Sequence, residues 1–169
     1  CGRDWSSDVC SSDLFLGGVG VTSSLGISLY LGANGAAGGV SAVAYDRLIQ
    51  RAERSTLVLG AFVLWTVGLL STLAVETPLA AAVPVVLFGL GLGLVFPSSF
   101  AWVEEFAPAD QQGQFSSYLA SFGYTGQFVS PIVFGAVVPF GGVSAVFVAA
   151  GAIAAVSGFA LGVRRLQPS

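Results

Sequence analysis

The chain consists of five long apolar stretches that are separated by short polar segments. Each stretch has roughly 20 mostly apolar residues, which is the length an α-helix needs to cross the hydrocarbon core of a bilayer. The stretches lack the strict alternation of apolar and polar residues that is typical of strands. Backbone groups in lipid must also form their hydrogen bonds within the protein. Both observations favour helices over strands. The pattern predicts an all-α integral membrane protein, a polytopic bundle of five transmembrane helices at about 24–44, 56–75, 80–103, 114–138 and 141–163.

The polar segments predict how the helices are oriented. If five helices alternate in direction, the segments 45–55, 104–113 and 164–169 share one side of the membrane. All basic residues after position 14 fall on that side: Arg47, Arg51, Arg54, Arg164 and Arg165. Because cytoplasmic loops carry an excess of arginine and lysine, we expect a multi-pass protein of the cell membrane with its C-terminus, and the tail 167–169, in the cytoplasm.

Composition supports a membrane location. Hydrophobic residues make up 54% of the chain and charged residues only 9%, whereas soluble domains carry about 25% charged residues. The lipid bilayer is therefore the first expected partner. No basic patch is present that could follow a nucleic-acid backbone, so no nucleic acid is expected among the partners.

The first fourteen residues, CGRDWSSDVCSSDL, differ in character from the rest of the chain. Residues 4–14 can be back-translated into a string that resembles a common short-read sequencing adapter, and the chain has no Met. We therefore expect 1–14 to be an adapter-derived artefact that replaces the true start, and 15–166 to be the native transmembrane bundle. Both cysteines, Cys1 and Cys10, fall in the artefact, so no disulfide, metal site or cofactor is expected.

Two polar segments carry motifs that can be compared with a known family. The stretch AYDRLIQR, residues 44–51, resembles the D-R-x-G-R-R loop of major facilitator superfamily transporters in its weaker second copy. Ile49 stands where that loop has a glycine, and Gln50 where it has an arginine. The turn PADQQG, residues 108–113, is similar to the P-x-x-x-R-G turn before the fifth and eleventh helices of the family.

The fourth predicted helix carries a third motif of the same family. Its stretch GQFVSPIVFG resembles the exporter signature G-x-x-x-G-P-x-x-G-G. Gly126, Pro131 and Gly135 match the signature, whereas Ser130 and Phe134 replace glycines. Because proline removes an internal hydrogen bond and bends a helix, the three matching residues are expected to form a helix-bending element.

The order of the motifs aligns the five helices with the eighth to twelfth helices of a twelve-helix transporter. The resemblance covers 15–166 and implies an incomplete half of that fold, whose partner is the missing N-terminal half of the same protein. The motifs are closest to those of drug-efflux-type members. The implied function is transmembrane transport of a small organic solute by alternating access, as secondary active efflux, with the fragment alone inactive.

The candidate substrate contacts are all neutral. No Asp, Glu, Lys or Arg lies in the middle of a predicted helix, so a proton-coupling carboxylate has to lie in the missing half. Asn34 and Gln127 are the strongest candidates, because an amide in hydrocarbon needs a partner; the alternative for each is a hydrogen bond between helices. The full set of cavity-lining candidates is Tyr30, Asn34, Tyr118, Tyr124, Gln127 and Ser130.

Charged residues near the helix ends are candidates for a gate. Glu104 and Glu105 lie at the end of the third helix, where the helix dipole disfavours carboxylates unless they are paired. One hypothesis is an ion-pair cluster with Arg47 and Arg51 that holds the cytoplasmic gate, and the alternative is two solvated acids. For Asp46, the resemblance implies a position opposite the N-terminus of a helix from the missing half.

Two other classes of function remain open. An integral-membrane enzyme needs a metal, haem or nucleophile site, and the lack of His and native Cys removes the usual ligands, so no enzyme is expected. A membrane subunit or scaffold without transport activity is the alternative to a transporter. Convergence of Asn34, Tyr118, Gln127 and Ser130 in the structure favours the transporter over the scaffold.

Overall fold

The computed structural model describes residues 16–17, 20–21 and 23–166, most of which lie in five α-helices. The predicted adapter artefact and the tail 167–169 lie outside the described residues. The described part of the chain contains no strand, which confirms the prediction of an all-α bundle. The helices are α1 (Ser24–Leu48), α2 (Arg54–Ser71), α3 (Ala82–Phe106), α4 (Gln112–Gly135) and α5 (Val138–Leu166).

Local sequence explains how the first helices begin and end. Ser23 caps α1, because its Oγ accepts a hydrogen bond of 3.1 Å from the backbone N–H of Gly26. α1 then continues through Leu48, four residues past its predicted end, since the intervening YDRL contains neither glycine nor proline. Two short 3-10 turns, Thr72–Ala74 and Leu79–Ala81, connect α2 to α3.

The chain changes direction inside α5. Gly141 and Gly142 have non-helical backbone angles, and Gly142 adopts φ +67°, a left-handed conformation that glycine adopts readily. The residues before this break form a single short turn, and the long helical segment follows it. The polar segment predicted at 139–141 therefore overlaps the interruption of the helix, which the structure places at Gly141 and Gly142.

The helices do not pack in chain order. α3 lies at the centre, with α1 against one face and α2 against another, and α5 packs mainly on α2. α1 and α2 are consecutive yet share few contacts, because α3 lies between them. α1 runs parallel to α3, because Gly38 of α1 contacts Gly89 and Ala42, one turn later, contacts Gly93. α2 runs antiparallel to α3, because Arg54 at its start contacts Glu105 and the later Trp65 contacts Phe88.

Glycines on α3 let both of its neighbours approach closely. A Cβ atom on Gly93 would collide with the carbonyl oxygen of Gly38, and one on Gly89 would collide with the backbone of α1. On the face towards α2, a Cβ atom on Gly91 would collide with the indole of Trp65. These glycines are therefore packing residues, as small residues commonly are between membrane helices.

Hydrogen bonds and rings fix the same contacts. The Oγ of Ser41 on α1 donates to the carbonyl of Leu90 on α3 at 2.8 Å. The indole Nε1 of Trp65 on α2 donates to the carbonyl of Phe88 on α3 at 3.0 Å, and the two rings stack with centroids 5.6 Å apart. α3 is thus hydrogen-bonded to a helix on each side.

Within the part of the chain that the structure describes, buried apolar residues form two small clusters at opposite ends of the bundle. One consists of Tyr45, Leu57, Ala61 and Leu94, where α1, α2 and α3 meet. The other consists of Leu16, Val21 and Ala81, against which Tyr30 packs. Most of the remaining large apolar side chains are exposed, as expected for a bundle whose solvent is lipid.

Among the described residues, three segments are long and apolar enough to cross a membrane: Arg54–Ala74, Leu79–Phe106 and Val138–Arg164. They correspond to α2, α3 and α5. α1 and α4 are long enough but less apolar, because α1 is rich in glycine and α4 is rich in serine and glutamine. The two less apolar helices are those that carry all the predicted cavity-lining residues.

α4 differs from the other helices because none of its residues is buried. Its polar side chains bond within the helix: Ser117 Oγ donates to the carbonyl of Gly113 at 2.9 Å, and Thr125 Oγ1 to that of Ser121 at 2.7 Å. α4 contacts α3 and α5 over only a few residues. The hydroxyls of Ser117 and Thr125 therefore need no partner from another described helix, whereas Gln112 at the start of α4 donates to the carbonyl of Glu104 on α3.

Candidate functional site

An open groove of about 420 Å³ lies between α1 and α3. Its α1 side is formed by small residues around Gly38 and Ala42, and its α3 side by Phe96, Pro97 and Phe100. Pro97 lies inside α3 and has no backbone N–H, so it cannot donate to the carbonyl of Gly93 four residues earlier. The groove is therefore an apolar, partly aromatic surface beside a weakened point of the central helix.

Asn34 lies at the α1–α3 contact, one helical turn from Gly38. Its Oδ1 is buried and has no hydrogen-bond partner in the described part of the chain. That oxygen is 2.9 Å from where a Cβ atom on Gly89 would lie, so only glycine at that position leaves room for the amide. An unsatisfied buried acceptor costs about 1–3 kcal/mol, which makes Asn34 the strongest of the predicted candidates for a ligand contact.

Tyr30 has a structural partner at the other end of α1. Its hydroxyl donates to the carbonyl of Pro78 at 2.5 Å, and its ring packs on the cluster around Ala81. Eight residues separate Tyr30 from Gly38, which is about 12 Å along a helix. The structure therefore places Tyr30 away from the α1–α3 groove.

The four candidates on α4 divide between two sides of the helix. Tyr118 and Gln127 are nine residues apart, which places them about 180° apart at 100° per residue. Tyr124 and Ser130 are each three residues from Gln127, so these three side chains share one face within about 120° of arc. Tyr118 accepts a hydrogen bond of 2.6 Å from Nε2 of Gln114 within the same helix. The structure also does not bring these side chains to Asn34, which lies at the α1–α3 contact.

An ion pair joins α2 and α3 at the end of the bundle that carries Arg47, Arg51, Arg54 and Arg164, here called the arginine end. Nη1 of Arg54, the first residue of α2, donates to Oε2 of Glu105 in the last turn of α3 at 2.5 Å. Tyr45 of α1 lies beside the same guanidinium. Its hydroxyl and the Nε of Arg54 are buried without a hydrogen-bond partner in the described part of the chain.

The partner of the carboxylate differs from the hypothesis. Within the described residues, neither Glu104 nor Glu105 pairs with Arg47 or Arg51, and those two arginines are exposed, as is Asp46. The carbonyl of Glu104 accepts a hydrogen bond of 3.0 Å from Nε2 of Gln112. The sequence pattern does not identify Arg54 as the partner, although a short connection between antiparallel helices places the start of α2 near the end of α3.

The expected helix-bending residues lie in the second half of α4. Pro131 is inside the helix, and Gly135 is its last residue. A Cβ atom on Gly126 or Gly135 would meet nothing within 4 Å. The two glycines are therefore not required by packing against any described residue, and their role in bending stays a prediction.

The fold and these features define a polytopic helical membrane protein with an open groove and a charged cluster at one end. The described residues contain no group of three or more His, Cys, Asp or Glu side chains that could hold a metal ion. The family model of the Major Facilitator Superfamily matches residues 12–169. The chain therefore belongs to the Major Facilitator Superfamily, a family of membrane transporters. No curated protein and no solved structure matches the chain at a significant level.

Proposed function

We propose that the chain is part of a secondary active transporter that moves a small organic solute by alternating access, in the direction of efflux. Membership of the Major Facilitator Superfamily carries the proposal, and it supports transport of a solute across a membrane. Carriers of this kind bind their solute near the middle of the membrane, between two helix bundles. We propose that the present chain supplies one of these bundles and that the N-terminal half of the same transporter supplies the other.

The α1–α3 groove is the proposed wall of the solute path. Small-molecule sites are mostly apolar and contain a few placed polar groups that orient the ligand. Phe96 and Phe100 supply aromatic surface to the groove, and the unsatisfied Oδ1 of Asn34 lies one turn further along α1. This arrangement supports a solute that has an apolar body and one hydrogen-bond donor, which pairs with the buried Oδ1 of Asn34 when the α1–α3 contact opens in the transport cycle.

The test begins with the complete gene, recovered by sequencing upstream of the adapter-like segment. The complete protein is placed in proteoliposomes, and gradient-driven movement of a panel of amphipathic fluorescent dyes is measured. We expect transport by the complete protein and none by the present chain alone. Gradient-driven transport by the present chain would refute the proposal that it needs a second half.

A matched pair of variants tests the groove in the complete protein. Asn34→Ala removes the unsatisfied amide, and transport is expected to fall at least several-fold because the solute loses its hydrogen-bond acceptor. Ser28→Ala is the control on the same helix, since the Oγ of Ser28 bonds its own helix, at the carbonyl of Ser24. Equal transport in the two variants would show that Asn34 does not contact the solute.

We also propose that the Arg54–Glu105 pair belongs to the cytoplasmic gate. The pair joins the ends of α2 and α3, and Tyr45 brings α1 to the same point. Glu105→Gln removes the charge and should shift the equilibrium between inward-open and outward-open states, measured by the labelling of single cysteines on each side. Glu104→Gln is the control, and an unchanged equilibrium and transport rate in Glu105→Gln would end the gate proposal.

A membrane scaffold without transport activity is the second candidate. One observation favours it: Tyr118 lies on the opposite side of α4 from Gln127, and none of the α4 candidates lies close to Asn34 on α1. The scaffold predicts a complete protein that folds in proteoliposomes and moves none of the dyes under any imposed gradient. Transport that is sensitive to Asn34→Ala excludes it.

A further inference from the structure

A second groove, of about 350 Å³, lies between α2 and α5. Small residues of α5, including Gly158, form its floor, and exposed apolar side chains form its walls: Val63 is 61% exposed and Phe159 is 74% exposed. Its one polar side chain is Thr66, whose Oγ1 donates to the carbonyl of Phe62 at 2.8 Å. The groove therefore offers no unsatisfied polar side chain, and it suits a hydrocarbon chain.

The register of α2 and α5 shows what lies at each end of this groove. The helices are antiparallel, since a Cβ atom on Gly151 would meet Leu70, one on Gly158 would meet Phe62, and one on Gly162 would meet Leu59. Arg164 is two residues beyond Gly162, so it lies level with the first turn of α2. The groove thus runs towards the arginine end.

The arginine-end mouth of the groove carries net positive charge. The segments that flank it contain Arg51, Arg54, Arg164 and Arg165, together with the acids Glu53, Glu104 and Glu105. Because Arg54 is paired with Glu105, three arginines remain against two acids. Arg51 and Arg164 are exposed. The segment that follows α2 at the other end, 72–81, contains one charged residue, the acid Glu76.

We propose that this groove binds one anionic phospholipid, with an acyl chain along α2 and α5 and its phosphate at Arg51 and Arg164. Basic pockets between membrane helices bind anionic head groups, and arginine forms strong charge-assisted bonds to phosphate. The end of the α1–α3 groove lacks this net positive charge, because Asp46 accompanies Arg47 at the end of α1 and Glu104 lies at the end of α3. The proposal needs only a membrane-embedded chain and does not rest on transport activity.

The test is native mass spectrometry of the purified full chain with equal amounts of phosphatidylglycerol and phosphatidylcholine of the same acyl chains. We expect one retained lipid, with phosphatidylglycerol strongly preferred. Each arginine near a head group contributes roughly fivefold, so Arg51→Gln with Arg164→Gln should lower the preference to near unity. Arg47→Gln, at the end of α1, is the control and should leave the preference unchanged.

A second set of variants tests the acyl-chain part of the site. Ala155→Leu enlarges an exposed side chain that lines the groove and should reduce retention of both lipids, with circular dichroism confirming that the helices persist. Phe159→Ala removes an exposed wall of the groove and should also reduce retention of both lipids. Retention that is unchanged in both folded variants contradicts the proposal.

Two further results would overturn the assignment of the head group. The first is a preference for phosphatidylglycerol that survives the double arginine substitution. The second is full displacement of the lipid by inorganic phosphate, which would show that the arginines bind a free anion without help from the groove. Weaker retention of phosphatidylglycerol at high salt, with phosphatidylcholine unaffected, supports the proposal.

Discussion

α3 and α4 follow one another in the chain and have almost the same length, 25 and 24 residues, yet they occupy opposite environments. α3 has buried residues along much of its length, whereas α4 has none. Both helices contain several glycines. On α3 a Cβ atom at Gly89, Gly91 or Gly93 would collide with a neighbour, whereas on α4 no glycine has any such contact within 4 Å.

The comparison teaches that the same residue type has different meanings on the two helices. On α3, glycine and serine make room for neighbours that are present, and Ser98 is fully buried. On α4, small and polar residues cover an accessible surface and bond their own backbone. Composition alone would make α4 look like a packing helix, and only the structure shows that its faces are open.

The largest expected effect separates the glycines of the two helices. Gly93→Ala puts a methyl group against the backbone of α1, so the free energy of unfolding should fall by about 1–3 kcal/mol. Gly126→Ala on α4 meets open space, and it should leave stability unchanged or raise it by up to about 1 kcal/mol. Unfolding in mixed micelles, followed by circular dichroism, measures both. Equal losses would show that α4 is packed as tightly as α3.

The next effect concerns aromatic side chains. Trp65→Phe removes the hydrogen bond to the carbonyl of Phe88 and should cost about 1 kcal/mol of unfolding free energy. Tyr124→Phe on α4 is the matched change, since Tyr124 is 62% exposed, and its effect should stay within about 0.5 kcal/mol. The same unfolding measurement applies. A larger loss of unfolding free energy in Tyr124→Phe than in Trp65→Phe would contradict the conclusion that α4 is less tightly packed than α3.

The smallest effect is expected at the junction between the two helices. Glu105→Gln breaks the ion pair with Arg54, and because the Glu105 side chain is 56% exposed the loss should be about 0.2–1 kcal/mol. Glu104→Gln, on the adjacent residue, should change nothing measurable. The difference between the two variants should shrink in 1 M salt, since salt screens exposed charges. A difference that persists in salt would mean that the pair acts through packing.

Much of the fold was predictable because length and apolarity alone specify membrane helices. The order in which the helices pack was not predictable from the same pattern. A helix that is apolar on all sides carries no stripe that identifies its neighbour, and α3 is of this kind. The apolar pattern does not predict the extension of α1 through Leu48, because Tyr45, Asp46 and Arg47 are polar, although none of them breaks a helix.

The candidate site was only partly predictable. Asn34 lies at the α1–α3 contact, as its amide in an apolar helix suggested, but the groove beside it depends on the packing of two helices and has no sequence signature. The pairing of Glu105 with Arg54 depends on which helix ends are adjacent, which hydropathy does not reveal. The divergence of Tyr118 and Gln127 could have been found from their spacing of nine residues.

The internal bonding of α4 has a consequence for the surface that it presents. Because Ser117 and Thr125 satisfy their hydroxyls on their own helix, a neighbour that covers them leaves neither hydroxyl unpaired. Gln112 acts differently, since its Nε2 donates to the carbonyl of Glu104 and ties the first turn of α4 to the end of α3. α4 is therefore anchored at its start, and along the rest of its length it offers another helix a polar surface at little desolvation cost.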